Sequence, residues 1–284
     1  MGRFRSDGAP SKARLDVLLV QRGLFPSREQ ARGAIMAGNV LVNGEVQDKP
    51  GTLIRADAEI VVRGPEHPFV SRGGVKLAAA LDSFGLDVSG AVAVDIGAST
   101  GGFTDCLLQR GARRVYAVDV GRGQLHPKLR ADSRVIPLEG KNARYLRPAD
   151  IGEPADLVCI DVSFISLAKI LPAAAPLLGE EPLGIVGLIK PQFEVGPELV
   201  GRGGVVRDPA AHRAAIASVL AAAEKLNLRC LALSPSPLRG PKGNVEFFAH
   251  WLPEQLATQP ALGAEEIAAA VEAAHSGRNR RRGG

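Results

Sequence analysis

The chain has 284 residues, 45% of them hydrophobic but only 4% aromatic, and a formal net charge of +5. No apolar run reaches the ~18–20 residues that cross a bilayer, and residues 1–12 lack the apolar stretch of a signal peptide, which argues against membrane insertion and secretion. Cys106, Cys159 and Cys230 lie far apart inside apolar segments, so they read as reduced thiols of a cytoplasmic protein rather than disulfides or metal ligands.

Residues 1–11 gather Gly, Ser, Pro and charge, and disorder is expected there. Leu15, Leu18 and Leu19 at helical spacing predict a helix over 12–23, closed by Gly23. Ser27, with Gln30 as capping-box partner, opens a second helix over 28–37. Short strands follow at 40–42, 45–46 and 60–62, the first two joined by a tight Asn43-Gly44 turn. This is a small ααβ module over 12–62. Residues 63–72 hold two prolines and a glycine and read as a linker.

A helix over 74–84 opens the larger domain, 73–252. Strands are predicted at 91–96, 114–119, 134–138, 156–161 and 184–189. Helices are predicted at 102–110, 124–131, 166–178 and 209–226. Such alternation predicts an α/β domain with a doubly wound, mostly parallel sheet. Strands 229–234 and 244–251 are joined without a helix, so one of them should run antiparallel. Residues 253–284 hold an alanine-rich helix (263–275) and a basic tail of Arg278, Arg280, Arg281 and Arg282, to which no role is assigned.

The most informative stretch is 91–104. An apolar strand carries Asp95, then breaks into Gly97, Ser99, Thr100, Gly101, Gly102 and Phe103. Glycines let the backbone turn tightly and approach a ligand without Cβ atoms in the way. A second strand ends at Asp119 and Val120, and Asp119 stands where a carboxylate grips ribose hydroxyls. A glycine loop with such an acid serves NAD and S-adenosylmethionine sites alike. Asp95 favours the latter, since it would repel a pyrophosphate but suits a cationic methionine moiety.

Four charges interrupt apolar or patterned segments: Lys76, Asp161, Lys190 and Glu246. Ligands of open α/β sheets gather at the C-terminal ends of strands, so Asp161 and Lys190 are expected to share the crevice of the glycine loop. Methyl transfer to a hydroxyl is an in-line displacement in which the hydroxyl is held close and loses its proton. A ribose 2′-OH is a poor acid and needs a base or strong cationic orientation. Lys190 is assigned as base or principal activator and Lys76 as its positioner. Asp161 is expected between cofactor and lysines, with Glu246 orienting them.

The order Lys76, Asp161, Lys190, Glu246 resembles the K-D-K-E tetrad of FtsJ-type ribose 2′-O-methyltransferases. Stretches 70–77, 95–104, 121–125, 142–144, 163–166, 190–196, 203–206 and 243–247 resemble the TlyA family of rRNA cytidine 2′-O-methyltransferases, also known as hemolysin A. The module at 12–62 is similar to the S4-type RNA-binding domain. The resemblance implies a Rossmann-like methyltransferase fold with seven strands, the last antiparallel, and S-adenosylmethionine as donor. It implies rRNA in ribosomal subunits as substrate, and no metal. It places Asn142 on the adenine side of the cofactor, and Arg28 and Lys49 against rRNA, with Lys12 and Arg14 as further candidates. A pore-forming hemolysin would need a membrane-inserting element, and none is visible. A non-catalytic ribosome-binding factor would show a degraded tetrad, yet all four charges are present.

Overall fold

The computed structural model describes residues 12–25, 27–36, 38–62, 67–240 and 242–276. The segment expected to be disordered (1–11) and the basic tail lie outside them. The chain divides into two units, Met1–Pro68 and Phe69–Gly284.

In the first unit the helix expected from residue 12 starts only at Leu15. Lys12–Arg14 is instead a strand, β1, paired antiparallel with β4, Leu53–Arg55. The reason is non-local. The Leu15 and Asp16 amides donate to the Thr52 and Pro50 carbonyls at 2.9 and 3.0 Å, which gives helix α1 (Leu15–Gln21) partners for its first donors. Helix α2 is Arg28–Met36; the side chain of its capping candidate Gln30 lies outside the description. Strands β2 (Val40–Val42), β3 (Glu45–Gln47) and β5 (Ile60–Val62) form a sheet in the order β3-β2-β5. Val40 and Val42 alternate onto the face that packs with Leu15, Leu19, Ala31 and Ile35.

The second unit starts earlier than expected. Helix α3 is Arg72–Phe84, the Val70 amide donates to Asp105 at 2.8 Å, and Phe69 packs on this unit's core. The last residues of the expected linker therefore belong here, because their backbone and side chains already have partners in it. Residues 63–66 of that linker lie outside the description.

Strand β6 (Val92–Ile96) leads to helix α4 (Gly102–Gln109), β7 (Arg114–Asp119), α5 (Pro127–Arg130), β8 (Val135–Glu139), α6 (Pro148–Ile151) and β9 (Leu157–Ile160). Then come α7 (Leu171–Ala174), β10 (Gly184–Ile189), α8 (Pro191–Glu194), α9 (Pro209–Glu224), β11 (Leu228–Pro235), β12 (Phe247–Pro253) and α10 (Ala264–Ser276). The seven strands are ordered β11-β12-β10-β9-β6-β7-β8. Only β12, the last in the chain, runs antiparallel to its neighbours β10 and β11. Buried strands alternate between two aliphatic cores: Val92, Val94 and Ile96 face one, Ala93 the other.

Two expected helices are shorter. The one over 124–131 keeps only α5. The one over 166–178 is broken into α7 and flanking 3₁₀ turns, Leu167–Lys169 and Ala175–Leu177, as Pro172 and Pro176 each remove an N–H donor. The last strand begins at Phe247 rather than 244, because the Asn244 side chain is engaged with the Val206 amide and the Gly204 carbonyl. All three cysteines are buried and unpaired. No described helix is long and apolar enough to cross a membrane.

Candidate active site

The C-terminal ends of β6, β7, β9 and β10 open on one side of the sheet. A cavity of about 840 Å³ lies there, lined among others by Gly97, Ser99, Asp119, Val120, Asn142 and Asp161. Gly97 has φ of +90°, and a Cβ on it would press on the Asp161 carbonyl. Only glycine lets these two strand ends come so close. Asp119 ties the loop to β7, accepting from the Ser99 amide at 2.8 Å and the Gly121 amide at 2.7 Å. The Asn142 side chain caps a 3₁₀ turn through the Arg144 amide at 3.1 Å.

Asp95, Thr100, Gly101, Gly102 and Phe103, assigned above to the cofactor, do not line this cavity. Thr100 is exposed, while Asp95, Gly101, Gly102 and Phe103 are buried beneath the loop. Phe103 is buried with its ring 6.0 Å from that of Phe248. Gly102 lets α4 approach α3, since a Cβ there would meet the Ser71 hydroxyl. The Thr100 carbonyl accepts from the His126 amide at 3.1 Å. Asp95 is fully buried and accepts from the Thr104 amide at 2.9 Å and hydroxyl at 2.6 Å.

Burial pushes the Asp95 carboxyl up to about 7 from its ordinary 3.8, with the Thr104 bonds opposing and the Asp161 charge adding. The sign follows. In that window the folded protein keeps a proton that the unfolded chain has released, so stability falls as pH rises through it. The cost above pH 7 is on the order of 4 kcal/mol, at ~1.4 kcal/mol per pK unit. Asp95→Asn is expected to flatten this dependence, with an unfolding midpoint in urea that exceeds wild type at pH 8 but not at pH 4.

The four distant charges meet as two ion pairs. Lys76, on α3, donates to Glu246 Oε2 at 2.5 Å; the two are 8% and 1% exposed. Lys190, just past β10, stands 2.7 Å from Asp161 Oδ1 and donates to the Ser163 hydroxyl at 2.9 Å. Ile189, the last residue of β10, pairs with Phe247, the first of β12, so Lys190 follows one strand and Glu246 precedes the other at the same edge. Asp161 Oδ1 is buried and faces the Lys190 ammonium, and the residue itself lines the cavity.

The basic residues of the first unit are partly gathered. Arg14 and Arg28 both pair with Asp16, at 3.0 and 2.9 Å. The Asp16 side chain has no exposure, and the two guanidiniums, Arg14 foremost, hold its carboxyl far below the usual carboxylate range. Lys49 is exposed on the turn whose Pro50 and Thr52 carbonyls cap α1. Lys12 is exposed on β1. Sequence reasoning missed Asp16 as the organiser of this cluster; its signal was an acid in the first helical turn between two basic residues. It also missed Asp105, which anchors Val70, and Ser163, which lies two residues past Asp161.

A mostly parallel seven-stranded sheet, one antiparallel strand and a charged crevice at the strand ends define a Rossmann-like methyltransferase. The chain belongs to the FtsJ-like methyltransferase family, which matches residues 69–251, and carries an S4 domain over 13–60. It is 47% identical over 266 residues to the 16S/23S rRNA (cytidine-2′-O)-methyltransferase TlyA of Mycobacterium tuberculosis, covering 93% of this chain and 98% of that protein. It is 39% identical over 244 residues to Hemolysin A of Brachyspira hyodysenteriae, covering 84% and 99%. A solved structure from Streptococcus thermophilus that carries the hemolysin name shares 44% identity and a TM-score of 0.74, covering 96% of this chain and 99% of that one.

Proposed function

We propose that this protein transfers a methyl group from S-adenosylmethionine to the 2′-hydroxyl of a cytidine ribose in ribosomal RNA, within ribosomal subunits in the cytoplasm. One observation carries the reading: the Lys190–Asp161 pair stands at the strand ends where Asp161 and the glycine loop line one cavity, and Glu246, paired with Lys76, stands at the neighbouring strand end.

The cavity residues fit the cofactor. Its volume suits a nucleoside-sized ligand. Asp119 sits at the second strand end, where ribose hydroxyls are accepted, and Asp161 lines the same cavity. When bound, S-adenosylmethionine supplies an electrophilic methyl. The chain's own residues act on the other reactant. The Lys190 ammonium, fixed by Asp161 and Ser163, orients the ribose hydroxyl and stabilises negative charge as it develops on the attacking oxygen, whose proton is released to water. Lys76, locked by Glu246, adds a second positive charge from the α3 side. Arg14, Arg28, Lys12 and Lys49 of the S4 domain supply phosphate contacts, which hold RNA without reading its bases. Among the described residues no cluster of three metal-ligating side chains occurs.

Unmethylated ribosomal subunits incubated with protein and methyl-labelled S-adenosylmethionine are expected to gain label on a cytidine ribose, located by nuclease digestion and mass spectrometry. Leakage of dye-loaded liposomes with no label in either subunit would overturn the proposal in favour of a membrane-active protein.

A further inference from the structure

The catalytic lysine proposed above is fixed to a loop that has its own anchor. β9 and β10 are parallel neighbours, and each releases a short segment at its end. The β9 segment holds Asp161, Ser163, Phe164 and Ser166. The β10 segment holds Lys190 and the single turn of α8, which ends at Glu194. Lys190 reaches the start of the β9 segment through Asp161 and Ser163. Four residues on, one helical turn away, Glu194 reaches its far end. One carboxylate oxygen accepts from the Ser166 hydroxyl at 2.6 Å, the other from the Leu167 amide at 2.7 Å. Between these anchors the Phe164 and Phe193 rings lie 5.2 Å apart.

We propose that Glu194 is a positioning residue that latches the Asp161–Ser163 loop in register with Lys190; this rests on the function proposed above. Two observations say that the loop needs a latch. Phe164 has φ of +64°, a left-handed conformation that a bulky residue adopts only under constraint. Its side chain is 91% exposed, so burial of its own ring supplies little of that constraint. Glu194 is itself costly to place: burial raises its carboxyl above the ordinary range, and the Ser166 and Leu167 bonds pull against that. A half-buried acid that satisfies both oxygens on one neighbouring segment holds that segment at two points. If the latch is lost, Asp161 and Ser163 drift from the Lys190 ammonium, and misplacement by ~1 Å costs up to about 100-fold in rate. Gly97 and Asp119 keep their own backbone bonds without it, while residues 161–166 of the loop also line the cavity.

The test compares Glu194→Ala, Glu194→Gln and Ser166→Ala in the full chain, with methyl transfer to ribosomal subunits and calorimetric titration of S-adenosylmethionine. Glu194→Ala is expected to lower kcat about 30-fold, with a smaller rise in the cofactor Kd because the loop also lines the cavity, while the KM for subunits stays within about threefold. Glu194→Gln keeps an acceptor for the Leu167 amide and a donor to the Ser166 oxygen, so it should restore kcat to within about threefold of wild type. Ser166→Ala removes the same link from the other segment and should also lower kcat, which keeps the test open should Glu194→Ala fail to fold. Wild-type kcat in Glu194→Ala, failure of Gln to rescue it, or a loss confined to KM overturns the latch. A wild-type protein with no methyl transfer overturns the proposed function instead.

Discussion

Lys190→Ala is expected to lower methyl transfer to ribosomal RNA by about 1,000-fold, the upper end of the ~100- to 1,000-fold typical of removing a group that stabilises developing negative charge. The lysine sits where β10 ends, between Asp161 and Ser163, and alanine leaves the attacking oxygen without its nearest cation. Folding should survive: the Lys190 backbone still caps α8, and the Phe193 amide still donates to its carbonyl at 2.8 Å. The cofactor Kd from calorimetry should move little, since the glycine loop and Asp119 lie on other strand ends. Lys190→Arg should not rescue, because a planar guanidinium is no substitute for a compact ammonium held by two close oxygens. A kcat within tenfold of wild type would remove Lys190 from its proposed role and move attention to Lys76.

The sheet was legible because buried parallel strands are written as continuous apolar runs. Residues 92–96, 114–119 and 184–189 each stop at a charge or glycine, and the structure ends its strands within a residue or two of those points. Strands β1 and β4 were not legible. Each has three residues with both ends exposed, and their pairing depends on a contact 40 residues away that no local period encodes. The break in helix 166–178 was visible in Pro172 and Pro176, but the alanine and leucine periodicity around them masked it.

The site divides along the same line. That Lys76, Asp161, Lys190 and Glu246 are out of place in their segments is a local fact, open to the sequence. Which lysine takes which carboxylate is not, since the Lys76–Glu246 contact spans 170 residues. The glycine loop is ambiguous in one respect. A glycine is required both where a ligand approaches and where another helix does, and sequence does not separate Gly97 from Gly102. Asp95 precedes that loop; its Oδ2 accepts from Thr104 beneath the floor, and its buried Oδ1 makes no hydrogen bond.

The Lys76–Glu246 pair allows stability and catalysis to be separated. Glu246→Ala strands a buried ammonium, and breaking a buried pair from one side costs about 3–5 kcal/mol. The carboxylate is 1% exposed and Lys76 is 8% exposed, so water does little to compensate. Urea unfolding at pH 7 should show the loss as a lower midpoint with an unchanged slope. Removing both charges is a different experiment. Lys76→Met combined with Glu246→Leu eliminates the desolvation penalty of both ions and keeps similar volume, so stability should return to within about 1 kcal/mol of wild type or exceed it. Gly240 sets the limit on that replacement, because its Cα faces Glu246 Oε1 closely enough that a Cβ there would crowd it. Methyl transfer should nonetheless stay at least 100-fold down, since a refolded apolar pair supplies no second cation beside Lys190. A double variant that regains both stability and activity would make the pair a structural strut; one that regains stability alone shows that two costly buried charges are retained there for the reaction they serve.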